Sequence, residues 1–262
     1  MKNSNSISQE EFIKNYKKEQ ILISVARILI FVAFLVLWEV LSYYKIIDSF
    51  FFSSPSGIIL LFIDMCKNFE IFIHTGITLY ETILSFFIVN ILSILMAILL
   101  FSFSTLSKIT EPYLVILNSL PKSALAPLII VWLGTGSKTI IVAGISVAVF
   151  GSIINLYTGF LQVDKEKIKL IRTLGGNKKD ELLKVIVPSS VPIIISNMKV
   201  NIGLSLVGVI IGEFLAARQG LGYLIIYGSQ IFQLDLLILA IIILCIIAFL
   251  LYRAIDWVEN KI

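Results

Sequence analysis

Few residues in this sequence are of types that carry out chemistry, and they lie in two settings. The first setting is a set of ionisable residues inside long apolar stretches: Lys122, Lys199 and Glu213. The second is a basic segment, residues 165–184, which carries seven Lys and Arg residues and is followed at once by an apolar run. Ionisable residues inside apolar stretches are costly to bury, so they are candidates for a functional role.

Nothing in the sequence matches a catalytic, metal-binding or nucleotide-binding pattern. The single histidine, His74, and the two cysteines stand apart without partner motifs. The stretch GTGSKT (134–139) looks like part of a phosphate-binding loop, but Trp132 and Ser137 occupy the positions where that loop requires glycine. We therefore expect this chain not to be an enzyme and to use no cofactor, metal or nucleic acid.

The composition predicts a membrane protein. Hydrophobic residues make up 58% of the 262 residues, charged residues make up 15%, and the mean hydropathy is +0.99. Soluble domains average about 45–50% apolar and about 25% charged residues. One soluble core of this size could not bury so much apolar surface.

Six stretches are long and apolar enough to cross a bilayer, which takes about 20 residues. They are about 22–43, 76–102, 111–133, 139–161, 187–212 and 234–255. Two shorter apolar stretches predict an amphipathic surface helix at 55–67 and an external or re-entrant helix at 219–232. The predicted organisation is an N-terminal tail, 1–21, and one transmembrane domain, 22–262.

The distribution of Lys and Arg predicts the orientation of these spans. With the N-terminus inside, fifteen of the 21 basic residues fall on the cytoplasmic side, counting Arg27 and Arg253 at the inner ends of the first and last spans, and four on the outer side. Those four are Lys45, Lys67, Lys138 and Arg218. We therefore expect both termini and the basic segment to be cytoplasmic.

The basic segment predicts two short helices joined by a glycine turn. The apolar face of the first helix comprises Ile168, Ile171 and Leu174. Gly175 and Gly176 end this helix, Asn177 is placed to cap the next one, 178–187, and Pro188 opens the fifth span. The segment is thus expected to form a compact knob rather than a flexible tether.

The knob resembles the cytoplasmic coupling loop of permeases from ATP-binding-cassette (ABC) importers. That loop has Glu-Ala-Ala, three residues, Gly, nine residues, and then a short apolar run ending in Pro. Here Gly175 is followed by nine residues and by Val185 to Pro188, without a gap. The segment RTLGG (172–176) resembles the form found in the nitrate/sulfonate/taurine-type permeases. The chain departs from the pattern at 169–171, where Lys-Leu-Ile replaces Glu-Ala-Ala.

Two further segments are similar to the same family, and the resemblance spans roughly 50–262. SLPKSALAPLIIVWLGTGSK (119–138) resembles its proline-rich third helix, and IGEFLAARQGLGYLI (211–225) resembles its outer segment after the fifth span. The resemblance implies an all-α, polytopic fold of about six transmembrane helices, that of type I ABC importer permeases (MetI-like).

The resemblance also implies partners and a role for the knob, about 162–187. Two permease chains pair, here as a homodimer, two cytoplasmic ATP-binding subunits dock on the coupling loops, and an external binding protein or lipoprotein delivers the solute. The implied coupling residues are Lys169, Ile171, Arg172, Leu174, Gly175, Gly176, Leu182, Val185, Val187 and Pro188. Ile171, Leu174, Leu182 and Leu183 are expected to be buried against the ATP-binding subunit, or else to pack the loop on its own membrane domain.

The candidates for the translocation path are Pro121, Lys122, Ser123, Pro127, Lys199 and Glu213. Both prolines are expected to disturb the third span. Lys122 either lines the path or lies near the cytoplasmic face and reaches water. Lys199 either lines the path or lies nearer an interface, where it is paired or reaches water. Glu213 either faces the solute or pairs with Arg218.

The predicted function is that of a multi-pass permease subunit in a bacterial inner (cytoplasmic) membrane. The family carries nitrate, sulfonates, taurine, vitamin precursors or amino-acid-like solutes, and the sequence does not choose among them. A stand-alone secondary transporter or channel, or a membrane scaffold, is the alternative. Gly208 and Gly212 form a GxxxG pair that suits either a dimer contact or an internal one.

Overall fold

A computed structural model describes residues 4–44, 53–259 and 261, with side chains from residue 12 onward. Within these residues the chain is helical and contains no strand. The helices are α1 (Ser4–Tyr43), α2 (Pro55–Lys67), α3 (Glu70–Ser102), α4 (Ser104–Ser119), α5 (Lys122–Leu133), α6 (Ser137–Leu161), α7 (Lys165–Thr173), α8 (Lys178–Glu181), α9 (Val187–Ser189), α10 (Val191–Ala216), α11 (Leu221–Gln230) and α12 (Leu234–Glu259). A π-helical turn, Leu182–Ile186, joins α8 to α9.

Five helices of the described chain are long and apolar enough to cross a membrane. They are Phe12–Tyr43, Glu70–Ser102, Ser137–Leu161, Val191–Ala216 and Leu234–Glu259. Helices α4 and α5 together could make a sixth span. The two helices are bent by 97° at the break between them. The third predicted span, about 111–133, thus corresponds to two helices with a bend at Pro121, one of the two prolines expected to disturb it.

The break between α4 and α5 follows from a single proline. Leu120 precedes Pro121 and adopts extended backbone, with φ −64° and ψ 137°, because the proline ring disfavours helical geometry in the residue before it. Pro127, also expected to disturb this region, lies inside α5 without ending it. One proline thus sets the bend.

The two short helices are present as predicted. Ser54 caps α2 by accepting a hydrogen bond from the Gly57 amide, and Pro55 occupies the first turn of α2. Helix α11 occupies the glycine-rich stretch predicted over 219–232. The fifth span begins four residues later than predicted, at Val191, and ends at Ala216.

Helix α1 lies largely apart from the other helices. None of its most apolar window is buried. Its contacts include α2, where the Glu39 carboxylate accepts a hydrogen bond from the Ser56 amide at 3.1 Å. Trp38 packs against the apolar cluster that includes Ile58. Helix α1 begins at Ser4, inside the predicted N-terminal tail 1–21, and continues through residue 21. The boundary between the tail and the transmembrane domain therefore stays a prediction.

The centre of the bundle consists of α3, α6 and α10, and glycines bring α10 close to α6. A Cβ atom on Gly208 would lie 2.7 Å from the Cα of Gly144 and 2.9 Å from the carbonyl oxygen of Ala143. A Cβ atom on Gly212 would lie 2.9 Å from the Cα of Ile140. The GxxxG pair therefore makes an internal contact, which decides between the two alternatives in favour of packing within one chain.

We expect Gly208→Ala to destabilise the protein by about 1–3 kcal/mol, because its methyl group would press on the backbone of α6. Gly203→Ala in the same helix is the matched control, since a Cβ atom there would meet nothing within 4 Å. Thermal unfolding of the purified protein in detergent measures the difference. Equal melting temperatures for the two variants would contradict the close contact of α10 with α6.

Candidate functional site

The first half of the knob, here residues 165–188, is a helix closed by a glycine. Asp164 caps α7 through a hydrogen bond from the Glu166 amide at 2.8 Å. After α7 the Gly176 amide donates to the Ile171 carbonyl at 2.9 Å, and Gly175 adopts a φ of +82°. This left-handed backbone strains residues with a Cβ atom, so glycine suits the turn.

The second half of the knob begins with a reciprocal cap. The Asn177 side chain accepts hydrogen bonds from the amides of Lys179 and Asp180, at 2.8 and 3.1 Å. In return, the Asp180 carboxylate accepts from the Asn177 amide at 3.0 Å. This capping box fixes the start of α8 directly after the glycine turn.

The helix then widens into a π turn ahead of Pro188. The Val187 amide donates to the carbonyl of Leu182, five residues earlier. Proline has no amide hydrogen, and its ring clashes with the carbonyl four residues before it, so a wider turn accommodates it. The Ser190 amide donates to the Ile186 carbonyl at 3.0 Å, so hydrogen bonding continues from the knob towards α10.

An ion pair joins the two halves of the knob across the glycine turn. Arg172 donates from Nε and Nη2 to the two carboxylate oxygens of Glu181, at 2.6 and 2.9 Å. Glu181 is buried, and the hydrogen bonds from Arg172 hold the pKa of its carboxyl below the usual value of 4.5. Sequence analysis missed this pairing, because neither its i, i+9 spacing nor the intervening turn follows a helical repeat.

The apolar residues of the knob divide into an inward and an outward set. Val185 is buried in a cluster with Ala97, Leu156 and Phe160, and Ile171 and Leu182 pack against that cluster. Leu170, Leu174 and Leu183 are instead 60%, 75% and 64% exposed. Lys169, Gly175 and Pro188 are exposed, and Gly176 and Val187 are partly buried. Ile171 and Leu182, named among the expected ATP-binding-subunit contacts, thus pack on the chain's own membrane domain.

Three path candidates of the third span, Pro121, Lys122 and Ser123, lie at the bend, and Pro127 lies within α5. Lys122 donates from Nζ to the carbonyls of Leu117 and Asn118, each at 2.6 Å, and so satisfies the C-terminal end of α4. Its ammonium also lies 5.9 Å from the centre of the Phe150 ring. Pro121, Ser123 and Pro127 are exposed.

Lys199 is tied to the last helix. Its Nζ lies 2.7 Å from a carboxylate oxygen of Asp256 and also bonds to Glu259, and it lies 5.6 Å from the centre of the Tyr252 ring. Its side chain is 16% exposed. The pairing with α12 corresponds to the alternative in which Lys199 is neutralised by partners.

Glu213 is held in a cradle of hydrogen bonds near the C-terminal end of α10. Its carboxylate accepts from the Thr78 hydroxyl at 2.7 Å and from the Gly222 amide at 2.6 Å, and the Thr78 oxygen accepts from the Leu221 amide at 2.8 Å. Gly220 adopts a φ of +116° and lets the chain wrap around this carboxylate. Within the described residues Glu213 makes no salt bridge to Arg218, so the expected local pair is not formed.

A polar cluster that sequence analysis missed lies between α3, α6 and α10. The Ser152 hydroxyl accepts from the side-chain amides of Asn197 and Asn201, at 2.7 and 2.9 Å. Asn201 also donates to Asn90 at 2.9 Å, and Asn155 donates to Asn197 at 2.9 Å. The i, i+4 spacing of Asn197 and Asn201 in an apolar span was the available signal. The cluster cross-links the three central helices.

Comparisons with known proteins match most of this architecture. Residues 89–262 match the family described as "Binding-protein-dependent transport system inner membrane component". A probable ABC transporter permease protein of Haemophilus influenzae is 30% identical over 72% of this chain and 77% of its own length. A putative aliphatic sulfonates transport permease protein of Bacillus subtilis is 26% identical over 86% of this chain and 82% of its own length.

The fold also matches solved structures. A chain of the MetNI methionine ABC transporter superposes with a TM-score of 0.62 at 19% identity, over 71% of this chain and 93% of that one. This confirms the all-α, MetI-like fold. The chain belongs to the binding-protein-dependent transport system inner membrane components, and it is a membrane-spanning permease subunit of an ABC importer, not an enzyme.

Proposed function

We propose that the knob is the surface through which this permease receives force from cytoplasmic ATP-binding subunits. The observation that carries the proposal is the exposure of Leu170, Leu174 and Leu183 on a small, basic, folded projection. Exposed leucines inside a membrane span face lipid, but these three lie outside the spans, where apolar clusters mark interaction sites. The ATP-binding subunit is the partner that a permease of this family requires.

The orientation of the chain follows from this docking. ATP-binding subunits are cytoplasmic, so the knob lies on the cytoplasmic side. Both termini lie there too, with α4 and α5 together as the sixth span, in agreement with the Lys and Arg distribution. We place the protein in a bacterial cytoplasmic membrane as a homodimer with two ATP-binding subunits. An external binding protein delivers a small solute to the opposite face.

Transmission of force requires a rigid knob, and three features supply rigidity. The capping box fixes the start of α8, the Arg172–Glu181 pair joins the two halves, and the Val185 cluster anchors the knob to the membrane domain. The helical hydrogen bonding near Ser190 then connects the knob to α10. A displacement of the knob would therefore be passed along α10 to the cradle around Glu213.

The solute path runs between the two permease chains in this proposal. Pro121 and Ser123 are exposed at the bend of α4 and α5, which is the irregular backbone expected beside a cavity or a partner, and Pro127 is exposed within α5. Lys122 and Lys199 already have partners within the chain, a backbone carbonyl and a carboxylate. In this proposal they contribute to the shape and local charge of the path more than to direct binding of a solute.

We expect Leu174→Ala combined with Leu183→Ala to abolish co-purification of the cognate ATP-binding subunit, because the double variant truncates two of the three exposed leucines of the knob. Leu95→Ala is the matched control, since Leu95 is 58% exposed but lies within α3. Affinity capture of the tagged permease from co-expressed membranes measures the bound subunit. Equal recovery with wild type and the double variant would refute docking at these leucines.

We expect Glu181→Gln to loosen the knob without unfolding the membrane domain, because Arg172 loses its ionised partner. Hydrogen–deuterium exchange over residues 165–188 should increase about tenfold, corresponding to about 1.4 kcal/mol of lost local stability. Glu166→Gln, a substitution of an exposed residue in the same knob, should leave exchange unchanged.

The wild-type knob has a defined pH dependence. The pKa of Glu181 is lower in the folded knob than its ordinary value of 4.5, so the pair stabilises the knob fully above that value. Its contribution falls as the pH drops through the lowered pKa. Exchange protection, corrected for intrinsic rates, should therefore be constant from pH 8 down to about 5. A loss of protection already near pH 6 would contradict the pairing.

A further inference from the structure

His74, the single histidine of the chain, fastens a backbone turn at the end of the bundle remote from the knob. Its Nδ1 atom accepts a hydrogen bond from the Gly220 amide at 2.9 Å. The amides of the next two residues donate to the Thr78 oxygen at 2.8 Å and to the Glu213 carboxylate at 2.6 Å. Side chains of α3 and α10 thus hold three consecutive amides, residues 220–222, at the start of α11.

The bond to Gly220 depends on the protonation state of the imidazole. A ring nitrogen that accepts a hydrogen bond carries no proton, so this bond requires a neutral ring with its hydrogen on Nε2. In the charged imidazolium both ring nitrogens are donors. Protonation of Nδ1 therefore sets two donors against each other and breaks the bond, whereas the Thr78 hydroxyl remains an acceptor at the same pH.

A cavity of about 500 Å³ beside His74 supplies acidic groups for the charged ring. Asp64 of α2 and Glu70 of α3 line this cavity and are exposed, and neither forms a salt bridge within the described part of the chain. Tyr223 and Tyr227 form the wall from α11, and the other described residues that line the cavity are uncharged. Carboxylates near a histidine favour its charged form, so the cavity stabilises the ring once it is protonated.

A stack of aromatic rings orients the His74 side chain. The planes of the His74 and Tyr223 rings differ by 12° and their centres lie 6.2 Å apart, and Tyr223 stacks in turn on Tyr227 at 5.7 Å. Both tyrosines belong to α11, which begins directly after Gly220. The stack and the hydrogen bond therefore hold the same helix, so a change at His74 acts on the start of α11.

We propose that His74 is a pH-sensitive tie, which fastens residues 220–222 to α3 when neutral and releases Gly220 towards the acidic cavity when protonated. Histidine titrates between about pH 5 and 8, so the tie is complete at the upper end of this range and is lost as the pH falls. In the orientation proposed above this end of the permease faces outward, and the tie responds to external pH. That regulatory role rests on the proposed function, whereas the tie itself is measured without it.

The first test follows the protonation of His74 directly, because the chain contains one histidine. The full-length permease, purified through an affinity tag without histidine, is labelled with ¹⁵N-histidine, and the ring nitrogen signals are recorded by NMR between about pH 8 and 5. We expect a neutral ring protonated on Nε2 at the upper end and a doubly protonated ring at the lower end. A neutral ring protonated on Nδ1, or no titration in this range, would overturn the proposal.

The second test measures release of the turn by hydrogen–deuterium exchange over residues 219–224, corrected for intrinsic rates. In wild type we expect exchange to be about three- to tenfold faster at the lower pH, the effect of losing one hydrogen bond. His74→Gln offers a side-chain carbonyl that accepts at every pH in the range, so its exchange should not change with pH. His74→Phe keeps a ring to stack on Tyr223 but has no acceptor, so its exchange should be fast at both ends of the range.

Two exchange results would overturn the proposal. Exchange that does not change with pH in wild type would show that the bond to Gly220 is not lost. The same pH dependence in wild type and in His74→Gln would assign the release to another group, such as the Glu213 carboxyl. The knob, whose protection should stay constant over this range, is the internal control, and capture of the ATP-binding subunit tests the proposed function separately from the tie.

Discussion

The close contact between α10 and α6 is the constraint on which the rest of the structure depends. Gly208 and Gly212 allow the backbones of these two helices to touch, and no other residue type leaves room for that approach. The contact sets the position of α10 within the bundle. The knob lies before one end of α10 and the Glu213 cradle lies at its other end, so a single packing interaction places both functional regions.

Hydrogen bonds and ion pairs between polar groups inside the spans connect the central helices. The Asn and Ser cluster cross-links α3, α6 and α10, Lys199 bonds to α12, and Glu213 accepts from the Gly222 amide at the start of α11. In a bilayer, unsatisfied polar groups cost several kcal/mol each, so these bonds both stabilise the bundle and fix its register. The side chains of Glu81, Thr82, Ser93 and Ser205 are buried in the spans without a partner among the described residues, and Glu81 is the acid of this set.

The residues of the knob fall into one set that packs on the membrane domain and another that is exposed. Its inward residues, including Val185 and Ile186, are buried against α3 and α6, whereas Leu174 and Leu183 remain exposed. Without the inward contacts the knob could not transmit force, and without the outward leucines it would offer little apolar surface to a partner. The Arg172–Glu181 pair holds both sets in a fixed relation.

The sequence by itself determined the membrane class, five of the spans, the short helices and the glycine turn of the knob, because these depend on local composition, on capping residues and on the freedom of glycine at positive φ. It could not determine the 97° bend at Leu120–Pro121, since proline is tolerated in some helices and breaks others. Only the tertiary structure decided that the GxxxG pair packs internally, that Arg172 binds Glu181 and that Glu81 lies beside Glu213. Such pairings join distant positions, and no local pattern encodes which helix faces meet.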